Sequence, residues 1–347
     1  MFLKVAKFEF RYQLRNPLLW IAVLLFAVLV FAATISPNSI GMPQRVEKNA
    51  PFKVAQLYMA LSGLYMFVSA AFVANAVVRD QETGFAPLLR TTAMAKSPYL
   101  LGRYAGALLA IALSFLAIPV MLWLGTQMPW VDPALFGPNH TAAYLMPFLW
   151  FALPNLFVPS ALLFALAVLT RSMVATYVGV IALLMFWGGT TVASQSGGNG
   201  LLTAYIDPFG LAALAQATRY WSPSELNTLS LPVYGVVLWN RLIWIAVGTA
   251  FFALAHARFQ FAERVPREAR HRSIEVQQAG TVTMVCKGAA KAFPRIEPHF
   301  GHATAWTQMR ARTRLDMVQI FRSPAYLILL MLGLIFSLTG LRNLDPA

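Results

Sequence analysis

Seven long apolar runs dominate this chain and restrict its fold more than any other feature. They cover roughly residues 18–35, 54–78, 104–125, 142–168, 173–193, 232–255 and 325–340. A run of about 18 or more apolar residues with few charges is long enough to cross the hydrocarbon core of a bilayer as a helix. The sequence therefore predicts an all-α integral membrane protein.

Composition agrees with this class and excludes several others. Hydrophobic residues make up 58 % of the chain and charged residues 12 %, whereas soluble domains carry roughly a quarter charged residues. One cysteine, Cys286, and five histidines argue against a disulfide framework or a thiolate metal site, and no metal is expected. The sequence contains neither G-x-x-x-x-G-K-[ST] nor H-E-x-x-H. We therefore do not expect the chain itself to be an ATPase, a zinc peptidase or any other enzyme.

The basic residues are distributed unevenly between the two sides of the predicted membrane. With a cytoplasmic N-terminus, 21 Lys and Arg residues lie on the inner side and 6 on the outer side. Such a bias sets membrane orientation and places cations beside anionic lipid headgroups. The net charge of +14 is explained in this way, and nucleic acid is not expected as a partner.

The first 17 residues have an amphipathic pattern. Lys4, Lys7, Arg11 and Arg15 fall on one face of a helical wheel, and apolar side chains cover much of the remainder. This predicts an interfacial helix in the headgroup plane, ended by Asn16-Pro17, with its apolar side towards the acyl chains. The alternative is an ordinary basic N-terminal flank.

The segment 79–103 is charged and lies between the second and third apolar runs. Asp80 is a candidate cap for a helix in this segment, and Glu82 would lie in its first turn. Leu88 and Leu89 would form an apolar ridge that could dock into a groove on a partner. The alternative is a solvated cytoplasmic loop.

Part of the N-terminal pattern recurs near the C-terminus. At an offset of 307 residues, Arg314-Leu315-Asp316-Met317 and Arg322-Ser323-Pro324 align with Lys7-Phe8-Glu9-Phe10 and Arg15-Asn16-Pro17. We therefore expect an interfacial elbow helix at 1–17 and a six-span half at 18–255. A cytoplasmic basic linker at 256–302 and a second elbow helix with a seventh span at 303–347 would follow.

Several further features have two interpretations each. Arg241, near the outer end of the sixth run, either extends to the interface or marks a substrate path within the membrane. Segment 194–231 is predicted to be an extracytoplasmic re-entrant or interfacial element. Gly102-x-x-x-Gly106 fits close helix packing, and prolines predict bends in the third and fourth spans: Pro119, Pro147, Pro154 and Pro159.

Taken in order, several stretches resemble ABC-2-type ABC exporter permeases. They are Phe8-Glu9-Phe10-Arg11-Tyr12-Gln13-Leu14-Arg15-Asn16-Pro17, Arg79-Asp80-Gln81-Glu82-Thr83-Gly84, Tyr99-Leu100-Leu101-Gly102-Arg103, Asp207-Pro208-Phe209-Gly210, Tyr220-Trp221-Ser222-Pro223 and Asn240-Arg241-Leu242-Ile243-Trp244. The chain looks most like the membrane portion of bacterial proteins in which such a permease precedes a peptidase-like domain.

The resemblance implies a function and a set of partners. It implies a six-span permease in the bacterial inner membrane, driven by a separate cytosolic ATP-binding subunit that carries the ATP and Mg²⁺. A homodimer or a second permease half would complete the transporter. The loop 79–103 would then be a coupling loop contacting that subunit through Arg79, Asp80, Glu82, Thr83, Gly84, Leu88, Leu89 and Arg90.

Two other functions compete with an exporter. The chain could be the membrane anchor of a downstream peptidase-like domain, with little or no transport. A secondary transporter is disfavoured, because the predicted spans contain almost no Asp, Glu or His for a proton relay. The sequence does not identify a substrate.

Overall fold

The computed structural model describes residues 1–36, 46–83, 95–195, 200–259 and 301–321. Within these ranges the regular secondary structure is helical and contains no strand. The chain divides into two compact units, Met1–Gln260 and Phe261–Ala347.

Six helices of the first unit are long and apolar enough to cross a membrane. They are Pro17–Ile35, Pro51–Asp80, Lys96–Thr126, Thr141–Thr170, Met173–Ala193 and Gly235–Arg258. These helices confirm the first six predicted spans, whereas the seventh lies outside the described residues. The second and fourth spans are mostly buried within the bundle, and the first, fifth and sixth expose most of their surface.

The N-terminal helix and the first span are separated where the sequence predicts. Helix α1 runs from Phe2 to Leu14 and α2 from Pro17 to Ile35. The side chain of Asn16 accepts a hydrogen bond of 3.0 Å from the backbone N–H of Leu18. Pro17 is the first residue of α2, a position where the N–H that proline lacks would be unpaired in any case.

The second span is built from three consecutive helical segments. Helix α3, Pro51–Ser69, passes through a π-helical turn at Ala70–Ala74 into α4, Asn75–Glu82. Helix α4 ends on the side of the bundle that carries α1.

Prolines account for the irregularities of the third and fourth spans. The third consists of α5, Lys96–Phe115, and α6, Ala117–Thr126. Pro119 lies four residues after the last residue of α5, and a proline ring clashes with the carbonyl four residues before it. The fourth consists of α7, Thr141–Pro147, a π-helical turn at Phe148–Ala152, and α8, Leu153–Thr170. Helix interruptions thus occur beside Pro119 and between Pro147 and Pro154, whereas Pro159 lies inside the continuous helix α8.

The chain between the fifth and sixth spans forms short helices. Helix α9, Met173–Gln195, is followed by α10, Gly200–Ile206, α11, Leu211–Ala217, and α12, Pro223–Thr228, before α13, Gly235–Arg258. Ser222 and Glu225 cap α12 reciprocally. The hydrogen bond from the backbone N–H of Ser222 holds the pKa of the Glu225 carboxyl below its usual value.

The spans alternate in direction, so the first unit has two distinct ends. At the end that carries α1, Lys96 Nζ donates to the carbonyl of Ala257 at 3.2 Å. At the opposite end, Asn49 Nδ2 donates to the carbonyl of Gly137 at 2.8 Å, and the N–H of Glu47 donates to Asn227 Oδ1 at 3.0 Å. Segments distant in sequence are therefore held together at both ends.

The described part of the second unit is one helix, α14, His302–Phe321. It covers the position predicted for the second elbow helix, while the predicted linker lies almost wholly among the undescribed residues.

Candidate functional site

Four charged side chains meet at the α1 end of the bundle. Arg79 Nη2 lies 2.9 Å from Glu9 Oε2, and Arg103 Nη2 lies 2.5 Å from Asp80 Oδ2. Arg103 also pairs with Glu9 through Nη1. Glu9 is fully buried, and Asp80 and Arg103 are each 5 % exposed. We call Glu9, Arg79, Asp80 and Arg103 the charge cluster.

Neutral side chains complete the surroundings of the charge cluster. Gln13 Nε2 donates to Glu9 Oε1 at 2.6 Å and to the carbonyl of Phe72, in the π-helical turn of the second span, at 3.2 Å. The Tyr99 hydroxyl donates to Asp80 Oδ2 at 2.7 Å. The Arg79 guanidinium stacks over the Tyr12 ring at 3.8 Å from its centroid, a favourable cation–π contact.

The charge cluster contains two cations and two anions. Buried ions lose their hydration, so even a well-formed buried pair is often no more stabilising than apolar residues of similar volume. Removing a single member costs far more, because its partner is left buried and uncompensated. The arrangement therefore stabilises one particular geometry of three elements: α1, the end of the second span and the start of the third.

The Gly102-x-x-x-Gly106 pattern makes this close approach possible. A Cβ atom at Gly102 would lie 2.7 Å from Cβ of Val5, and one at Gly106 would lie 2.5 Å from the carbonyl oxygen of Ala6. The contacts advance in the same direction on both helices, so α1 runs alongside α5 over these turns. The predicted packing role of the two glycines is confirmed, with α1 as the neighbour.

This docking corrects part of the prediction for α1. Its basic face is exposed as expected, with Lys4, Lys7, Arg11 and Arg15 all at the surface. The opposite face contacts protein rather than acyl chains, because it carries the buried side chains of Ala6, Glu9 and Gln13.

The structure separates the residues predicted to couple the chain to an ATPase. Arg79 and Asp80 lie in the last turns of α4 and belong to the charge cluster. The expectation that Asp80 caps a following helix is wrong, because Asp80 lies inside α4 and an N-cap residue is not helical. Its Oδ2 accepts from Arg103 and Tyr99 instead. Glu82 is the last residue of α4 rather than part of a first turn, and Thr83 donates its hydroxyl to the carbonyl of Arg79 at 2.8 Å. The other predicted coupling residues lie outside the described residues: Gly84, Leu88, Leu89 and Arg90.

Arg241 forms a second polar centre, deep in the bundle. It is 3 % exposed, so the interpretation that it extends to the interface is wrong. Its Nη1 donates to Asn155 Oδ1 at 2.5 Å, its Nε to Asn240 Oδ1 at 2.9 Å, and its Nη2 to the carbonyl of Pro208 at 3.4 Å. All three nitrogens have acceptors, which leaves little capacity to bind a substrate.

The turn between α10 and α11 provides several of the contacts around Arg241. Phe209 in this turn is fully buried, and its ring packs on Trp187 with 4.8 Å between centroids. It shares a core cluster with Met66 and Leu163 of the second and fourth spans. Helices α10 and α11 therefore enter the bundle and return to the end from which they came. Of the two predicted alternatives for 194–231, the re-entrant one is confirmed for this part, which we call the hairpin, 200–217.

The buried backbone of the hairpin turn is satisfied by side chains. Asp207 accepts from the N–H of Phe209 at 3.0 Å and of Ala212 at 2.7 Å, which suits a carboxylate at the start of α11. Asn240 Nδ2 donates to the carbonyls of Ala204 at 2.7 Å and Asp207 at 2.9 Å. Non-helical backbone at membrane depth is tolerated only when it is paired in this way.

Sequence reasoning did not assign the roles of Glu9 and Gln13, although a signal was present. Glu9 is an acidic residue on the face of α1 opposite four basic ones. An ionisable group on an apolar helical face predicts a buried partner of opposite charge.

Comparison with known proteins found no matching family model and no matching curated protein. The geometry of the charge cluster and of the hairpin is therefore what bears on function.

Proposed function

We propose that this chain is the membrane-embedded permease subunit of an ATP-driven exporter of the ABC-2 type, with ATP hydrolysed by a separate cytosolic subunit. The observation that carries the proposal is the position of the charge cluster. Arg79 and Asp80 lie in the last turns of α4, shortly before the segment 84–94, and Tyr99 and Arg103 follow it. Both ends of the proposed coupling loop are thus anchored to one buried network that also holds α1.

The charge cluster has the properties needed to transmit movement from the loop to the helices. Its ion pairs are buried and directional, so a displacement of either end of the loop moves Arg79 or Arg103 relative to Glu9. Breaking either pair would leave a buried charge unpaired. We therefore expect the pairs to stay intact and α1 to move together with the loop. In this proposal, the charge cluster converts a movement of the loop into a movement of α1 and of the second and third spans.

The exposed face of α1 fits the other proposed partner, an anionic lipid surface. Four cations line this face, and Trp20, near the start of the first span, is 54 % exposed. Lys and Arg side chains near a headgroup layer are each worth about 1 kcal/mol of attraction to anionic lipid. The charge bias and this face together favour a cytoplasmic N-terminus in the bacterial inner membrane.

Photo-crosslinking tests the proposal. A photoreactive amino acid is incorporated in place of Leu88, and in a matched control in place of Leu229, which is exposed at the opposite end. Crosslinks are formed in native membranes, and the adducts are probed with a photoreactive ATP analogue and identified by mass spectrometry. We expect an ATP-binding subunit at position 88 only. A chain that captures no nucleotide-binding protein at position 88 would instead favour the membrane-anchor function.

The variants Glu82→Ala and Gly84→Pro test coupling itself. We expect either variant to remain inserted in the membrane while stimulation of the ATP-binding subunit's hydrolysis by this chain is lost. The control is Thr228→Ala, at the opposite end of the bundle. Full stimulation in both loop variants would remove the coupling role from this segment.

A further inference from the structure

The hairpin is buried by protein on several sides, yet it belongs to none of the spans. Ala204, Ala213 and Leu214 lie in one core cluster with Ala55 and Met59 of the second span. Further along, Phe209 lies in another cluster with Met66. Since Met59 precedes Met66 along the same helix, the hairpin follows the second span inward from the end opposite α1.

Polar contacts rather than apolar packing decide where the tip of the hairpin sits. The carbonyl of Phe209 accepts from Asn155 Nδ2 at 3.0 Å. Asn155 Oδ1 accepts a hydrogen bond from Arg241, and Arg241 also donates to the carbonyl of Pro208. One guanidinium thereby joins the fourth span, the sixth span and the turn of the hairpin.

The backbone at Gly210 is shaped to admit this guanidinium. Gly210 has φ +84, and a Cβ atom there would lie 2.5 Å from Arg241 Nη2. The positive φ and the missing side chain both bring the turn against Arg241, since only glycine adopts this conformation without strain.

We propose that Arg241 is a latch, and that it holds the hairpin as a plug across the interior of the bundle at the end opposite α1. Movement of the fourth span away from the sixth separates Asn155 from Arg241 and unseats the hairpin tip. The latch involves no ATP-binding partner, so it can be confirmed or disproved independently of the proposed transport function.

Cysteine accessibility measures whether the hairpin is seated. In a Cys286→Ser background, which removes the sole cysteine, Ala213→Cys places a thiol at a site that is 1 % exposed. The rate of maleimide labelling is measured on the purified protein in nanodiscs, where both faces are accessible. We expect slow labelling with the latch intact. Fast labelling in this parent would overturn the proposal.

Three latch variants and one control complete the test. We expect Arg241→Ala, Arg241→Lys and Asn155→Ala to label roughly tenfold faster or more, the effect of losing one charge-assisted hydrogen bond. Arg219→Ala removes an exposed guanidinium at the same end and should label at the parent rate. If Arg241→Ala does not fold, Asn155→Ala decides, because it keeps the arginine; parent-rate labelling in that variant would overturn the latch.

A flux measurement separates a plug from a purely structural contact. The same variants are reconstituted in liposomes with trapped potassium, and its release is followed with a fluorescent indicator. We expect faster release from the latch variants than from the parent and from Arg219→Ala. Variants that label fast but remain as tight as the parent would overturn the plug.

Discussion

At the scale of single residues, the decisive feature of this protein is buried charge with specific partners. Glu9, Asp80, Arg103 and Arg241 are all at most 5 % exposed, and each is held by named hydrogen bonds. Charged side chains are almost never this deeply buried unless they are paired. The consequences of changing them are therefore large and depend on which partner remains.

The first prediction concerns the charge cluster. Arg103→Met keeps the length of the side chain but leaves Glu9 and Asp80 without their shared cation, which should destabilise the fold by about 3–5 kcal/mol. The measurement is the unfolding midpoint in detergent. Arg11→Met, on the exposed face of α1, is the control and should change stability by about 0.5 kcal/mol or less.

A second substitution separates charge from packing in this experiment. Arg103→Met removes the close cation of Asp80, whereas Glu9 keeps its ion pair with Arg79. Adding Asp80→Asn to Arg103→Met neutralises the carboxylate that has lost its partner, so the destabilisation of the double variant should be smaller than the sum of the two single effects. Strictly additive effects would contradict the charge cluster as described.

The second prediction compares two glycines with positive φ. Gly235 has φ +57 and open space around its Cβ position, whereas Gly210 has φ +84 and lies against Arg241. Gly235→Ala should cost about 1–2 kcal/mol, from backbone strain alone. Gly210→Ala should cost clearly more, because it also displaces the guanidinium. Equal unfolding midpoints for the two variants would contradict the contact between Gly210 and Arg241.

At the scale of elements, α1 is a component of the bundle rather than an appendage. Its basic face could be predicted from spacing alone, because a helical wheel depends only on local geometry. Its docking on α5 could not, because the partners of Glu9 are 70 and 94 residues away along the chain. The glycine pair was recognisable as a packing motif, but the helix that fills it was not.

The third prediction tests this docking. Gly106→Ala would place a methyl group 2.5 Å from the carbonyl oxygen of Ala6, a backbone atom that can move only with the whole helix. Such overpacking costs about 1–3 kcal/mol and should increase amide hydrogen exchange throughout α1. Gly189→Ala, with nothing within 4 Å, is the matched control and should leave exchange in α1 unchanged.

The same contrast between local and distant causes applies to the other elements. Pro119 and Pro147 predicted interruptions that the structure contains, because the loss of an N–H acts within one helical turn. The role of Arg241 was predicted wrongly in part, because its partner Asn155 is 86 residues away. Asp80, predicted to cap a helix, instead pairs with Arg103, which is 23 residues away.

At the scale of the whole molecule, the first unit is a multi-pass bundle with two different ends. One end carries α1 and the charge cluster, and the other carries the re-entrant hairpin and connected loops. The proposed orientation, with α1 in the cytoplasm, follows from the distribution of basic residues.

The fourth prediction tests this orientation with single cysteines in the Cys286→Ser background. Tyr220, 88 % exposed, and Lys7, on the basic face of α1, report on opposite ends. In spheroplasts, a membrane-impermeant maleimide should label Tyr220→Cys at once and Lys7→Cys only after the membrane is permeabilised. The reverse pattern would place the N-terminus outside.

The amino-acid sequence by itself determined the class of protein, the six described spans, their approximate limits and their interruptions. These follow from hydrophobic length and from backbone hydrogen bonding, which a membrane helix satisfies within its own segment. Only the tertiary structure decided which charges meet, which face of α1 is covered and that the hairpin turns back within the bundle. Those outcomes depend on desolvation and on pairing between residues far apart in sequence. The spacing of residues along one helix does not reveal such distant partners.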